Sequence, residues 1–155
     1  MRKFTERGFT LIEVLVVIGI IAILAGIVVV AINPARQFAQ ANNSQRWSNV
    51  NAILNAVHQY GVDNRGALPL GLASTTVATE ICKAGIASTT CTTNGFVDLS
   101  MLVPTYVVSI PSDPRGGIDT TYGSGYKINV TSTTSGRILV SATQAELAQS
   151  ISVER

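Results

Sequence analysis

The sequence predicts an α+β protein in which a long N-terminal α-helix packs on a small antiparallel β-sheet. Three observations predict this class. Residues 9–32 form a nearly unbroken apolar stretch, residues 47–60 carry apolar side chains at helical spacing, and residues 125–142 hold two β-rich segments. A chain of 155 residues has room for one membrane anchor and one small domain rather than two independent cores.

The uneven charge of the chain limits its partners. Of 11 basic and 9 acidic residues, three basic residues and Glu6 lie in residues 1–8, which leaves eight of each sign for residues 9–155. A neutral body without a Lys/Arg cluster lacks the counterion release that drives nucleic-acid binding. Strong nucleic-acid binding is therefore not expected.

The apolar stretch is long enough to cross a membrane. Between Phe9 and Ile32 only Thr10 and Glu13 are neither apolar nor small. A helix over these residues spans about 36 Å, and a bilayer core measures about 30 Å. The preceding basic residues favour a cytoplasmic N-terminus. A secretory signal peptide, with a shorter apolar run and a cleavage site at its end, and a plain single-pass anchor are the alternatives, and Glu13 is unusual in both.

Glu13 needs a partner. A carboxylate near the hydrocarbon costs a few kcal/mol unless it is neutralised or paired, and the apolar stretch contains no Lys or Arg. Cleavage after Gly8 would give Phe9 a free α-amine four residues before Glu13. That amine could pair with Glu13 in the same chain or in a neighbouring copy. The alternative is a protonated or snorkelling glutamate without a role.

Residues 7–15, RGFTLIEVL, resemble the prepilin peptidase recognition segment of type IV pilins and type II secretion pseudopilins. The resemblance implies a type IV pilin-like fold with a cytoplasmic leader over 1–8, a transmembrane and filament-core helix over 9–32, and an extracytoplasmic globular domain over 33–155. It also implies leader cleavage between Gly8 and Phe9, N-methylation of Phe9, and pairing of Glu13 with the N-terminal amine of a neighbouring subunit.

The same resemblance implies a structural filament subunit rather than an enzyme. Its expected partners are further copies in a helical homopolymer, the prepilin peptidase/methyltransferase, an inner-membrane assembly platform and, before assembly, membrane lipid. Stored as a single-pass membrane protein, it would move to an extracellular or periplasmic filament. The alternatives are a major pseudopilin of a type II secretion system and an anchored extracytoplasmic binding domain or enzyme that does not polymerise. No catalytic residue is assigned, since GxSxG, HExxH, P-loop and dinucleotide motifs do not occur in the sequence.

The second part of the helix is predicted to be amphipathic. Asn33-Pro34 breaks the apolar run and restarts a helix, with Asn33 as N-cap and Pro34 in the first position. Gly61 is expected to end this helix. Its apolar face comprises Trp47, Val50, Ile53, Leu54, Val57 and Tyr60.

The remainder divides into loops and strands. Residues 63–69 are a turn by composition, residues 98–102 a short helical turn, and residues 109–117 a loop fixed by two prolines. Strands are predicted over 125–130 and 136–142, joined by a hairpin over 131–136. Residues 146–153 are expected to form a third strand or a short helix.

Residues 71–95 are rich in Thr, Ser and Gly and contain both cysteines, Cys82 and Cys91. We expect a variable loop fastened by a disulfide, because two cysteines that close a short loop outside the cytoplasm commonly pair. Two buried free thiols are the alternative. The spacing does not match a zinc site.

A calcium site is the one metal site considered. The loop over 109–117 resembles the loop before the sheet in major pseudopilins, some of which bind calcium. In this chain, Asp113 and Asp119 together with backbone carbonyls are the candidate ligands, because calcium prefers hard oxygen donors. Arg115 stands where the family usually has tryptophan after Asp-Pro. A simple Asp-Pro turn is the alternative, and no other cofactor is expected.

Overall fold

The computed structural model describes residues 8–72, 75–117, 119, 121–132 and 136–155. The chain divides into two compact units, one that ends at Phe38 and one that runs from Ala39 to Arg155, and each is described by itself. The elements are α1 (Leu11–Ile32), α2 (Pro34–Asp63), β1 (Thr79–Cys82), α3 (Ser88–Thr93), a single 3-10 turn (Ser100–Leu102), β2 (Gly123–Ser132), β3 (Arg137–Ala142) and β4 (Ile151–Glu154).

The first unit consists of α1 and the first residues of α2. The predicted break between them is confirmed: α1 ends at Ile32, Asn33 adopts a left-handed conformation with φ 48°, and α2 begins at Pro34. Asn33 also acts as N-cap for α2, since its Oδ1 accepts a hydrogen bond from the backbone N–H of Arg36 (3.3 Å). Proline has no backbone N–H to donate and starts a helix readily.

The second unit is the predicted α+β domain. Its four-stranded sheet has the order β1-β2-β3-β4, with antiparallel neighbours throughout. Side chains alternate along β3, where Ile138, Val140 and Ala142 are buried. The same core cluster takes Val50, Ile53, Leu54 and Val57 from α2. The helix therefore packs its predicted apolar face against the sheet.

The outer edge of β1 is covered by a later segment. The backbone N–H of Val97 donates to the carbonyl of Glu80 (2.9 Å), and the N–H of Cys82 donates to the carbonyl of Val97 (2.9 Å). Ile81 and Val97 thus form a parallel bridge. At the other edge, β4 pairs only with β3 among the described strands.

One predicted boundary of α2 and one predicted position on its buried face need correction. The helix does not end at Gly61 but continues to Asp63, because the left-handed residues that end it, Arg65 (φ 57°) and Gly66 (φ 88°), lie further along. Trp47, predicted on the buried face, is 40% exposed. It flanks the apolar stripe and does not lie in its centre.

The interpretation of residues 71–95 as a variable loop was wrong in part. They contain β1 and α3, and Ile81 in β1 is fully buried. Four residues paired with distant β2 leave too short a local pattern for recognition. The predicted loop over 109–117 is confirmed. Of the two alternatives for 146–153, a strand or a short helix, the structure has the strand, β4. In the predicted hairpin over 131–136, residues 133–135 lie outside the described part of the chain.

Candidate functional site

The N-terminal site is built on the first turn of α1. Thr10 is the N-cap, and its hydroxyl accepts a hydrogen bond from the backbone N–H of Glu13 (3.3 Å). The carboxylate of Glu13 accepts in return from the backbone N–H (2.9 Å) and the hydroxyl (2.8 Å) of Thr10. This reciprocal capping box satisfies donors at the start of a helix. Thr10 was not predicted as a partner of Glu13, although Thr-x-x-Glu before an apolar run is a recognised signature of this arrangement.

The predicted cleavage and assembly residues lie beside this capping box. Gly8 and Phe9 precede the helix, and Phe9 is 88% exposed. Phe9 and Glu13 line one shallow depression of about 240 Å³, together with Val14, Val17 and Ile18. The structure therefore brings the residue that would carry the new amine close to the glutamate. The leader residues 1–7 lie outside the described part of the chain.

Apart from Glu13 in its first turn, α1 is apolar, and its surface is uncovered. An 18-residue stretch of this helix has a mean hydropathy of 3.3, and none of its 22 residues is buried. By length and composition the helix is able to cross a membrane. A helix that is apolar on every side needs lipid or other protein around it. The helix and its capping box therefore fit a membrane-anchored protein.

A buried ionic cluster lies in the second unit, around Arg46 of α2. The side chains of Arg46 and Asp113 are both fully buried. The guanidinium donates from Nε to Oδ2 of Asp113 (2.6 Å) and from Nη2 to Oδ1 (2.9 Å). Hydrogen bonding to Asp113 raises the pKa of Arg46, in opposition to the effect of burial. Arg46 was not among the residues predicted from the sequence.

Glu146 completes the cluster from the loop before β4. Its Oε2 accepts hydrogen bonds from Nη1 of Arg46 (2.9 Å) and Nδ2 of Asn42 (2.9 Å). Its Oε1 accepts from Nη1 of Arg115 (3.2 Å). The hydrogen bond from Arg46 is the main cause that lowers the pKa of Glu146, and the bond from Asn42 adds to it. The cluster thus joins α2, the Asp113 loop and the C-terminal segment.

The two predicted calcium ligands have other partners. Both carboxylate oxygens of Asp113 bind Arg46, and Oδ1 of Asp119 accepts from the backbone N–H groups of Thr121 (2.7 Å) and Tyr122 (3.1 Å). Backbone donation from Tyr122 and then Thr121 lowers the pKa of Asp119. A carboxylate that already binds a guanidinium is a poor donor to a cation, so Asp113 as placed does not fit calcium. Among the described residues no group of three or more His, Cys, Asp or Glu side chains could hold a metal.

Cys82 and Cys91 are joined by a disulfide that closes the segment between β1 and α3. The residue Cys91 is fully buried, and Cys82 is 3% exposed. The disulfide is therefore part of the interior of the domain. No other cysteine occurs in the chain.

Comparison with known proteins agrees with the N-terminal geometry. Residues 3–29 match the family described as the prokaryotic N-terminal methylation motif. No curated protein matches the chain, and no solved structure matches it. The matched residues include Gly8, Phe9, Glu13 and most of α1. The chain thus carries the N-terminal motif that is the hallmark of type IV pilins and pseudopilins, on an α+β pilin-like fold.

Proposed function

We propose that this protein is the structural subunit of a type IV pilus-like filament. It is stored in the membrane through α1, cut between Gly8 and Phe9 by a prepilin peptidase, methylated at Phe9, and polymerised through α1. The observation that supports this most strongly is the methylation motif on a helix whose apolar surface is exposed on every side. In a filament, the same surface is covered by other copies instead of lipid.

Glu13 guides assembly in this proposal. The capping box with Thr10 leaves the carboxylate with hydrogen-bond donors from its own chain, and a carboxylate oxygen accepts more than one hydrogen bond. After cleavage, the α-amine of Phe9 supplies a positive charge to the Glu13 of a neighbouring copy. Docking of subunits then depends on a charge match in apolar surroundings, where an unmatched charge is costly.

The proposed filament subunit catalyses no reaction and needs no cofactor. Its partners are further copies of itself, the peptidase/methyltransferase that processes it, and an assembly platform of the inner membrane that extracts it. The N-terminus lies in the cytoplasm before cleavage, and the second unit lies outside the membrane. The Cys82–Cys91 disulfide supports an exported domain, because disulfides persist mainly outside the cytoplasm.

The second candidate is a major pseudopilin of a type II secretion system. The observation in its favour is the loop over 109–117, which resembles the corresponding pseudopilin loop and leads into the sheet. Immunogold electron microscopy of shed surface filaments separates the two. Labelled filaments support the pilus, whereas filaments that appear only when secretion genes are overexpressed support the pseudopilus.

The decisive test of both candidates is mass spectrometry of the native N-terminus. We expect a chain that begins at Phe9 and carries one additional methyl group. A protein that retains residues 1–8, or that is cut downstream of α1, would instead support an anchored or secreted domain that does not polymerise. The Gly8→Val variant serves as the control, since a branched side chain at this position should prevent the cut and leave the leader attached.

A further inference from the structure

A polar depression of about 410 Å³ lies on the surface of the second unit. It is lined by Gln40, Asn43, Ser44, Trp47 and Gln149. None of these side chains is ionisable, and one is the sole tryptophan of the chain. We propose that this depression binds a neutral oligosaccharide. The proposal concerns a binding activity separate from filament assembly and does not depend on it.

The chemistry of the lining favours a sugar over other neutral ligands. Trp47 is 40% exposed, and its indole combines a rigid apolar ring with one polar N–H group. A pyranose ring has an apolar face of C–H groups that packs on such a surface. Its hydroxyl groups both donate and accept, as amide side chains do. A charged ligand would meet no opposite charge in the lining.

Hydrogen-bonding capacity is available in the depression. Oε1 of Gln149 accepts a hydrogen bond from Nδ2 of Asn43 (3.0 Å). The amide Nε2 of Gln149 donates no hydrogen bond to the described part of the chain. The side chain of Gln40 makes no hydrogen bond to the described residues. Two amide side chains beside the indole are therefore available for hydroxyl groups.

The position of Gln149 is fixed by strained backbone. Leu147 (φ 59°) and Ala148 (φ 55°) are consecutive left-handed residues, a conformation that is unfavourable for residues other than glycine. Such strain persists where surrounding contacts hold it, and it is concentrated at functional sites.

Buried Asn43 supplies those contacts. Its Oδ1 accepts from the backbone N–H of Glu146 (3.0 Å), and its Nδ2 donates to the carbonyl of Glu146 (2.8 Å). Nη1 of Arg46 donates to the same Oδ1 (2.9 Å). The ionic cluster therefore holds the segment in a conformation in which Gln149 and Trp47 line the same depression before a ligand arrives. A pre-organised site loses less entropy on binding.

The test uses the emission of Trp47, which reports on this depression alone because no other tryptophan is present. The full chain is purified in a detergent without a sugar headgroup and titrated with neutral trisaccharides of glucose, mannose, galactose and N-acetylglucosamine, with calorimetry on the same samples. We expect saturable binding of at least one sugar, with a Kd of about 1 mM or below. Gln149→Ala should weaken it roughly fivefold or more, whereas Gln45→Ala, an exposed neighbour on α2 outside the lining, should leave it unchanged.

Two results would overturn the proposal. One is the lack of saturable binding of any of these sugars by emission and calorimetry. The other is an affinity in Gln149→Ala equal to that of the unaltered chain. Thermal unfolding verifies that Gln149→Ala is folded, and Gln40→Ala takes its place if it is not. Trp47→Ala, measured by calorimetry, should abolish binding.

Discussion

Arg46 and Asp113 form a two-point ion pair with no solvent access, in which Nε and Nη2 of the guanidinium lie 2.6 and 2.9 Å from the two carboxylate oxygens. They are 67 residues apart in sequence. The pair fastens the loop after residue 109 to the middle of α2. Because both charges lie away from water, each depends on the other for stabilisation.

Removal of the Arg46 guanidinium should therefore strongly destabilise the folded protein. Arg46→Met leaves Asp113 buried without a cation, and we expect the free energy of unfolding to fall by about 3–5 kcal/mol. Urea denaturation of the full chain in detergent, followed by circular dichroism, measures the change. The control is Arg115→Met, which removes a side chain that is 60% exposed and should cost less than about 1 kcal/mol.

A double variant separates the value of the pair from the penalty of an orphaned charge. Arg46→Met combined with Asp113→Leu should be clearly more stable than Arg46→Met alone, since no buried charge remains. The loss of unfolding free energy in the double variant is compared with the sum of the losses in Arg46→Met and Asp113→Leu. If the two are equal, the residues are not coupled. That result would contradict the ion pair.

Stability should fall in acid through Glu146. Its pKa is lowered in the folded state, mainly by the hydrogen bond from Arg46. The stabilising contribution is thus complete above the ordinary carboxyl pKa of 4.5 and is lost as the pH falls through the lowered value. The urea midpoint, measured from neutral pH downward, should decrease in this range, and the decrease should be shallower in Glu146→Gln.

Glu154→Gln is the matched control for this titration. Glu154 forms a 3.9 Å ion pair with Arg137 on the exposed surface, with side-chain exposures of 42% and 65% respectively. Such pairs contribute little. An equal flattening of the pH dependence in both variants would contradict a specific role for Glu146.

Reduction of the disulfide should destabilise the second unit. Cys82 and Cys91 are nine residues apart, and closure of a loop of this length stabilises the folded state by about 2.5 kcal/mol through the unfolded chain. We expect the Cys82→Ser/Cys91→Ser variant to unfold at lower temperature than the oxidised protein, by differential scanning calorimetry. Dithiothreitol should lower the Tm of the unaltered protein and leave that of the variant unchanged.

Gly125 is expected to tolerate no side chain. Its φ is +89°, and a Cβ at this position would lie 2.6 Å from the Cβ of Asp113. Gly125→Ala should cost about 2 kcal/mol or more, from the left-handed backbone and the displacement of Asp113. Gly85→Ala isolates the first contribution, because Gly85 has φ +83° and open space around it. Equal losses of unfolding free energy in the two variants would show that Asp113 is not displaced.

Glu13→Leu tests the assembly proposal within the membrane. The substitution removes a charge from an exposed apolar helix, so the protein should remain in the membrane fraction while filament yield falls by about tenfold or more. Filaments sheared from cells are quantified by immunoblot against the membrane pool. Val16→Leu, one turn further along α1, should assemble normally. Normal yield from Glu13→Leu would exclude charge pairing as the guide for docking.

The sequence predicted the elements whose pattern is local. The apolar run of α1, the break at Asn33-Pro34 and the four central apolar residues of α2 all follow from spacing along one segment. The capping box of Thr10 and Glu13 is also a local pattern, Thr-x-x-Glu, but it was not among the predictions. Trp47 lies at the margin of its helix face, where periodicity does not distinguish buried from exposed positions.

The buried cluster could not be predicted from a single sequence. Arg46 stands in a polar stretch of α2, and its partners follow 67 and 100 residues later. A lone arginine on a helix is most often solvated, so only the folded arrangement identifies it. β1 was not predicted for a related reason. Its four residues form a strand only through pairing with β2 and Val97, which lie far along the chain.

The bridge between Ile81 and Val97 limits how the sheet can pair with other molecules. With Glu80 and Cys82 already bonded on that side, backbone groups at the β1 edge are not open to a strand from another copy, whereas those of β4 are. Strand pairing between two domains would therefore stop at a dimer and not continue as a ribbon. In the proposed filament, where many copies lie close together, the covered β1 edge would oppose aggregation through strand pairing.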